Sequence, residues 1–262
     1  MTAGQVVDTP TASEFLGQVL ELTSREELAG IAEEVAAKAA AMREIAGTDP
    51  AAMDVGALRA LLGWVFCARR HVDKVLAVVD AGELARGIAD LVDGTDRLAV
   101  RFDRFTDLVG GCPEVAADLP AELLHFLDPA RYWLWSRWMW DPDTETGSLR
   151  LVTMDEVDLD GDTRGEVYLR VGRALAFVSE TGHAAGFTSF AHRGSGQDVL
   201  YAEAFSTDVF LAAVYGVYMQ TVLRMRLTQE FTNLVPPLPQ LTRRLLGVHR
   251  PATSRRPAER KA

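Results

Sequence analysis

A chain of 262 residues that is 48% hydrophobic and 24% charged can bury a substantial core without help from disulfides or a structural metal. Its formal net charge of −10 argues against a broad nucleic-acid surface, because neutralising phosphates requires clustered Lys and Arg. Cys67 and Cys112 form neither a disulfide framework nor the spacing of a zinc or iron–sulfur site, and two such thiols fit a reducing, cytoplasmic interior.

The first ten residues, MTAGQVVDTP, have no basic start and no apolar run, so they do not read as a signal peptide. Thr11 to Thr23 reads as a short amphipathic helix. Ser24-Arg25-Glu26-Glu27 is a capping box that opens a second helix, with Leu28, Ile31, Val35, Ala39, Met42 and Ile45 on one stripe and an end at Gly47. Asp49-Pro50 repeats an N-cap–Pro signal, and a long helical pattern is expected from there to Val79. Gly82 to Gly111 predicts two helices parted near Gly94. Glu114 to Phe126 predicts one or two short ones interrupted by Pro120.

Asp128 to Pro142 holds four of the chain's five Trp. Asp128-Pro129 looks like a cap followed by Pro at the first helical position, and Tyr132, Trp135 and Trp138 recur at helical spacing. A buried aromatic helix is predicted here. Asp141 to Asp162 is acidic and lacks a helical stripe, which suggests a short hairpin or loop and the best candidate for a subdivision of the chain. Thr163 caps a helix expected to end near Glu180, and Thr181 to Tyr201 reads as a Gly-rich loop. Ser206 caps the most apolar helix, Asp208 to Leu227. Its longest apolar run, Val209 to Met219, is too short to span a bilayer. Gln240 to Leu246 forms a last short helix. Arg250 to Ala262 carries five basic side chains against one acidic and reads as a disordered tail, leaving the body more acidic than the whole. The predicted fold is therefore all-α: about nine helices in one domain, 1–249, with a β-like excursion near 141–162.

Several constellations carry chemical meaning. Two Glu-x-x-His pairs, Glu122/His125 and Glu180/His183, each place a carboxylate and an imidazole on one helical face, as carboxylate-bridged metal bundles do. Against this, Gly182 suggests that the helix ends before His183. Glu156 to Asp162 imitates the first half of a calcium loop but lacks the closing carboxylate at position twelve, which is Val167. His192-Arg193-Gly194-Ser195 could form an anion-holding nest, with Trp133 and Trp135 as an aromatic wall. Cys112 precedes Pro113 at a helix start, a position that favours thiolate, but no base partner is evident. Neither a P-loop nor a dinucleotide fingerprint occurs.

The leading expectation is a cytoplasmic helical protein that works through protein–protein contact, as an accessory or scaffold subunit or a homodimer, with no cofactor and no membrane association. The first alternative is a metal- or ligand-dependent enzyme built on Glu122, His125, Glu180 and His183 beside the 182–196 loop. The second is contact with nucleic acid through the basic tail.

Overall fold

A computed structural model of the chain describes residues 5–190, 202–226 and 236–248. Among the described residues eleven α-helices occur: α1 (Thr9–Leu22), α2 (Arg25–Ala46), α3 (Val55–Trp64), α4 (Val72–Val78), α5 (Ala81–Asp93), α6 (Leu98–Leu108), α7 (Pro113–Ala116), α8 (Leu119–Leu127), α9 (Arg164–Ala185), α10 (Ser206–Arg226) and α11 (Leu238–Leu245). The fold is all-α. Two isolated antiparallel bridges, Val7 to Thr153 and Asp141 to Thr146, are the only β-pairing among these residues.

The helix starts follow from short polar side chains. Asp8, Ser24, Asp54, Asp80 and Thr163 each accept a hydrogen bond from the backbone N–H three residues on. Each such bond satisfies an orphan donor and contributes about 1 kcal/mol. Asp49-Pro50 opens only a 3-10 turn, Pro50–Ala52, and the expected long helix to Val79 is divided into α3 and α4 by a non-α-helical stretch at residues 65–71. Pro120 lies in the first turn of α8, where its missing N–H is harmless, so it begins that helix rather than breaking it.

The predicted aromatic helix does not form. Asp128 is the C-cap of α8, Pro129 to Arg131 make a turn, and residues 132–136 have no regular structure. Burial is as expected: Tyr132, Leu134, Trp135, Trp138, Met139 and Trp140 are all in the core. Three of its carbonyls take donors from elsewhere in the chain. The Tyr168 hydroxyl donates to the Trp133 carbonyl at 3.0 Å, Ser148 N–H to Trp138 at 3.1 Å and Leu149 N–H to Met139 at 2.9 Å. The Trp135 indole N–H donates to the Trp140 carbonyl at 2.8 Å. With several of its carbonyls met by distant donors, the segment does not depend on an internal ladder, and tertiary burial overrides the helical spacing.

The buried apolar residues form one cluster running from Val7 to Leu246. Helix α2 packs on α3, α8, α10 and α11, while α10 also contacts α1, α9 and α11. Helices α6 and α9 cross closely because Gly165 lies against the Ala99 backbone, where a Cβ would overlap it. No helix of the described residues is long and apolar enough to cross a membrane.

Candidate functional site

Asp118, Glu122 and His125 are spaced i, i+4 and i+7 at the start and along one face of α8. All three are buried. An otherwise apolar helix thus carries a polar stripe into the core, and each member must find partners there.

Asp118 accepts from the Arg137 backbone N–H and from its Nε, both at 3.1 Å. Burial nevertheless pushes its carboxyl above the usual range, with Arg137 pulling the other way. Glu122 accepts from Phe66 N–H at 2.9 Å and Cys67 N–H at 3.1 Å. It thereby holds the turn between α3 and α4. Its Oε2 also lies 3.7 Å from Nζ of Lys38, whose side chain is 1% exposed. Burial lowers the Lys38 ammonium to about 8, against the raising effect of Glu122. The same ammonium donates to the Leu246 carbonyl at 3.0 Å and sits 3.7 Å from the Phe126 ring centroid. A cation at the C-terminus of α11 suits that helix's dipole.

His125 completes the stripe. Its Nδ1 lies 2.8 Å from the Tyr132 carbonyl oxygen and its Nε2 lies 2.8 Å from Oδ2 of Asp208 in the first turn of α10. A carbonyl oxygen only accepts, so Nδ1 carries hydrogen and a further proton lies between Nε2 and the carboxylate. Phe126 and Phe205 pack their rings edge-on to the imidazole. Beneath this stripe, removal from water pushes the Cys67 thiol well above its usual 9.0, and the Glu122 and Asp118 carboxylates add to the effect. The other cysteine, Cys112, is buried at the N-cap of α7. The arrangement ties α8 to α2, the α3–α4 turn, the Trp segment, α10 and the end of α11; each carboxylate and imidazole is consumed by a structural partner.

The second Glu-x-x-His pair is elsewhere. Helix α9 continues past Gly182 to Ala185 and closes at Gly186, whose positive φ of 79° suits glycine. Gly182 is therefore no terminator. It admits the side chains of Phe187 and Thr188, which a Cβ would meet at 2.6 and 2.5 Å. Glu180 and His183 line a cleft of about 410 Å³ together with Glu203, Ser206 and Thr207. Among the described residues no group of three His, Cys, Asp or Glu side chains gathers at metal-ligand spacing, so the set Glu122, His125, Glu180 and His183 is not assembled.

The remaining candidates separate in the same way. Trp135 is buried against Phe102, its indole nitrogen already bonded, and Trp133 is partly buried beside Gly172 of α9. His192, Arg193 and Ser195 lie outside the described residues. In the calcium-like loop, Asp158 pairs with Arg170, and Glu166 accepts from Asp162 N–H at 3.0 Å. Those carboxylates serve the start of α9.

Sequence reasoning missed Lys38, Asp118 and Asp208. Lys38 was detectable: it lies at i+3 from Val35 and four before Met42, on the apolar stripe of α2. A charge on a buried stripe calls for a buried partner.

Compared with protein-family models, with curated proteins and with solved structures, the chain matches none.

Proposed function

We propose that this is a cytoplasmic helical protein that acts through protein–protein contact, as an accessory subunit or a homodimer. The observation that carries this reading is the outer face of α9. Leu169 and Phe177, 43% and 40% exposed, lie eight residues apart on that helix, with exposed Arg173 between them and Ala176 alongside. Spacing of i, i+4 and i+8 puts the three on one side of a helix. Large apolar side chains presented together on a long, well-anchored helix are the raw material of an interface, with an arginine at its middle. The consumption of the α8 charges by structural partners supports the same reading, since it leaves them no free role in chemistry.

Sedimentation and mass measurement of the purified chain test the homodimeric form. Leu169→Ser combined with Ala176→Asp is expected to convert a concentration-dependent dimer to monomer without lowering the unfolding midpoint. For a heteromeric subunit, the same double variant abolishes capture of a partner that the unaltered chain binds stoichiometrically. Unchanged assembly in the double variant would remove α9 as the contact surface.

A further inference from the structure

A groove of about 550 Å³ runs along the flank of α9, between that helix, the Gln5–Val6 segment and the turn at 156–158. This volume falls within the range of about 300–1,000 Å³ typical of small-ligand sites. Its walls are tied in place. Met154 N–H donates to the Val6 carbonyl at 2.9 Å, and Arg150 donates to the carbonyls of Asp155 and Val157, both at 3.1 Å. Phe177, Val6, Val157 and Ala174 supply apolar lining.

Four charged side chains also line it. Arg170 and Asp158 neutralise each other in an ion pair. Arg173 on α9 and Glu156 on the turn have no ion-pair partner among the described residues, and they do not pair with one another. Opposite charges thus line the same groove from different elements.

Each simple class of ligand fails one part of this lining. An anion matches Arg173 but meets Glu156. A cation matches Glu156 but meets Arg173. A wholly apolar molecule covers both charges without pairing either, which is costly. One chemistry answers all three features: a carboxylate for the guanidinium, an ammonium for the glutamate and a hydrocarbon or ring for the Phe177 wall. We propose that this groove binds a small zwitterion with an apolar side chain, an α-amino acid of the leucine or phenylalanine type. The groove shares Arg173 and Phe177 with the contact face proposed for α9, whereas Leu169 and Ala176 lie outside it, so the partner-face double variant and the ligand titration test the two readings separately.

Isothermal titration of the full chain with L-phenylalanine and with L-leucine tests it. The matched probes are N-acetyl-L-phenylalanine, which lacks the cation, phenethylamine, which lacks the carboxylate, and glycine, which lacks the side chain. Saturable binding of the two amino acids is expected, weakened about tenfold or more by each deletion, as for loss of a charge-assisted contact. Arg173→Gln and Glu156→Gln alter exposed side chains. Each should weaken binding similarly while leaving the unfolding midpoint in place. The proposal is overturned by absence of saturable binding at millimolar ligand, by equal binding of glycine or the N-acetyl derivative, or by wild-type affinity in both variants.

Discussion

His125 and Asp208 are 83 residues apart in sequence and 2.8 Å apart in the core, and the imidazole's other nitrogen reaches the Tyr132 carbonyl. One ring therefore joins α8, α10 and the Trp-rich segment. Truncating Asp208 to Ala leaves Nε2 buried without a partner and is expected to cost about 3–5 kcal/mol. Asp208→Asn retains a side-chain amide that can donate to Nε2 of the neutral ring, and should cost clearly less. Urea unfolding midpoints of the two variants measure the difference; equal losses would mean that shape rather than the hydrogen bond holds α10 there.

Lys38 makes stability depend on alkaline pH. Below about pH 8 its ammonium is charged in both folded and unfolded chains, so the cost of burying the charge is fully present. From about 8 up to 10.5 the folded chain has released the proton and the unfolded chain still holds it. The unfolded state then binds more protons, and stability rises with pH, by up to roughly 3 kcal/mol for a displacement of this size. Cys67 acts in the opposite sense above its ordinary 9.0, because the folded thiol keeps a proton that the unfolded thiol has lost. The rise should therefore show between pH 8 and 9, extend further in Cys67→Ser, and vanish in Lys38→Met. Chemical denaturation across pH 7–10 reads all three.

Gly165 sets the closeness of α6 and α9, since a Cβ there would overlap the backbone of Ala99. Its N–H also donates to the Asp103 carboxylate at 2.7 Å. Backbone cannot swing aside as a side chain does, so Gly165→Ala is expected to cost about 1–3 kcal/mol by forcing the helices apart, despite alanine's better helix propensity. Gly30 in α2, with nothing within 4 Å of an added Cβ, is the control: Gly30→Ala should be neutral or stabilising by up to about 1 kcal/mol. Thermal unfolding of the pair tests the contrast.

Trp135→Phe keeps most of the buried ring but removes the indole donor from the Trp140 carbonyl. A loss of about 1–3 kcal/mol is expected from the orphaned acceptor, in addition to any packing change. Loss of protection of the amide protons of Ser148 and Leu149, whose partners are the neighbouring carbonyls of Trp138 and Met139, would locate the damage by hydrogen exchange.

Where structure is decided by near neighbours, the sequence was readable. The Ser24 and Thr163 caps, the division of α5 from α6 at Gly94 and the restart at Pro113 all rest on residues within a turn of the boundary. Misreadings occurred where a distant group decides. The periodicity of Tyr132, Trp135 and Trp138 is real, but Tyr168, Ser148 and Leu149 supply the partners that make a helix unnecessary. Gly182 looked like a stop because nothing local reveals Phe187 and Thr188 packing onto it.

The candidate site divides along the same line. Glu122 and His125 stood out as a spaced pair, yet their roles come from Lys38, Cys67 and Asp208, which lie on other elements. The groove beside α9 joins residues from three separate parts of the chain, Val6, Glu156 and Arg173, and no spacing rule links them.

The irregular path of the Trp segment bears on how the chain reaches its native state. The Trp133, Trp138 and Met139 carbonyls take donors from Tyr168, Ser148 and Leu149, all downstream, so a nascent chain ending near Pro142 would hold the segment only by local contacts such as the Trp135 indole on the Trp140 carbonyl. Long-range closure of this kind is slow compared with local helix formation. The segment should therefore consolidate late, after α9 has emerged, and until then it is the stretch most in need of a chaperone's shelter.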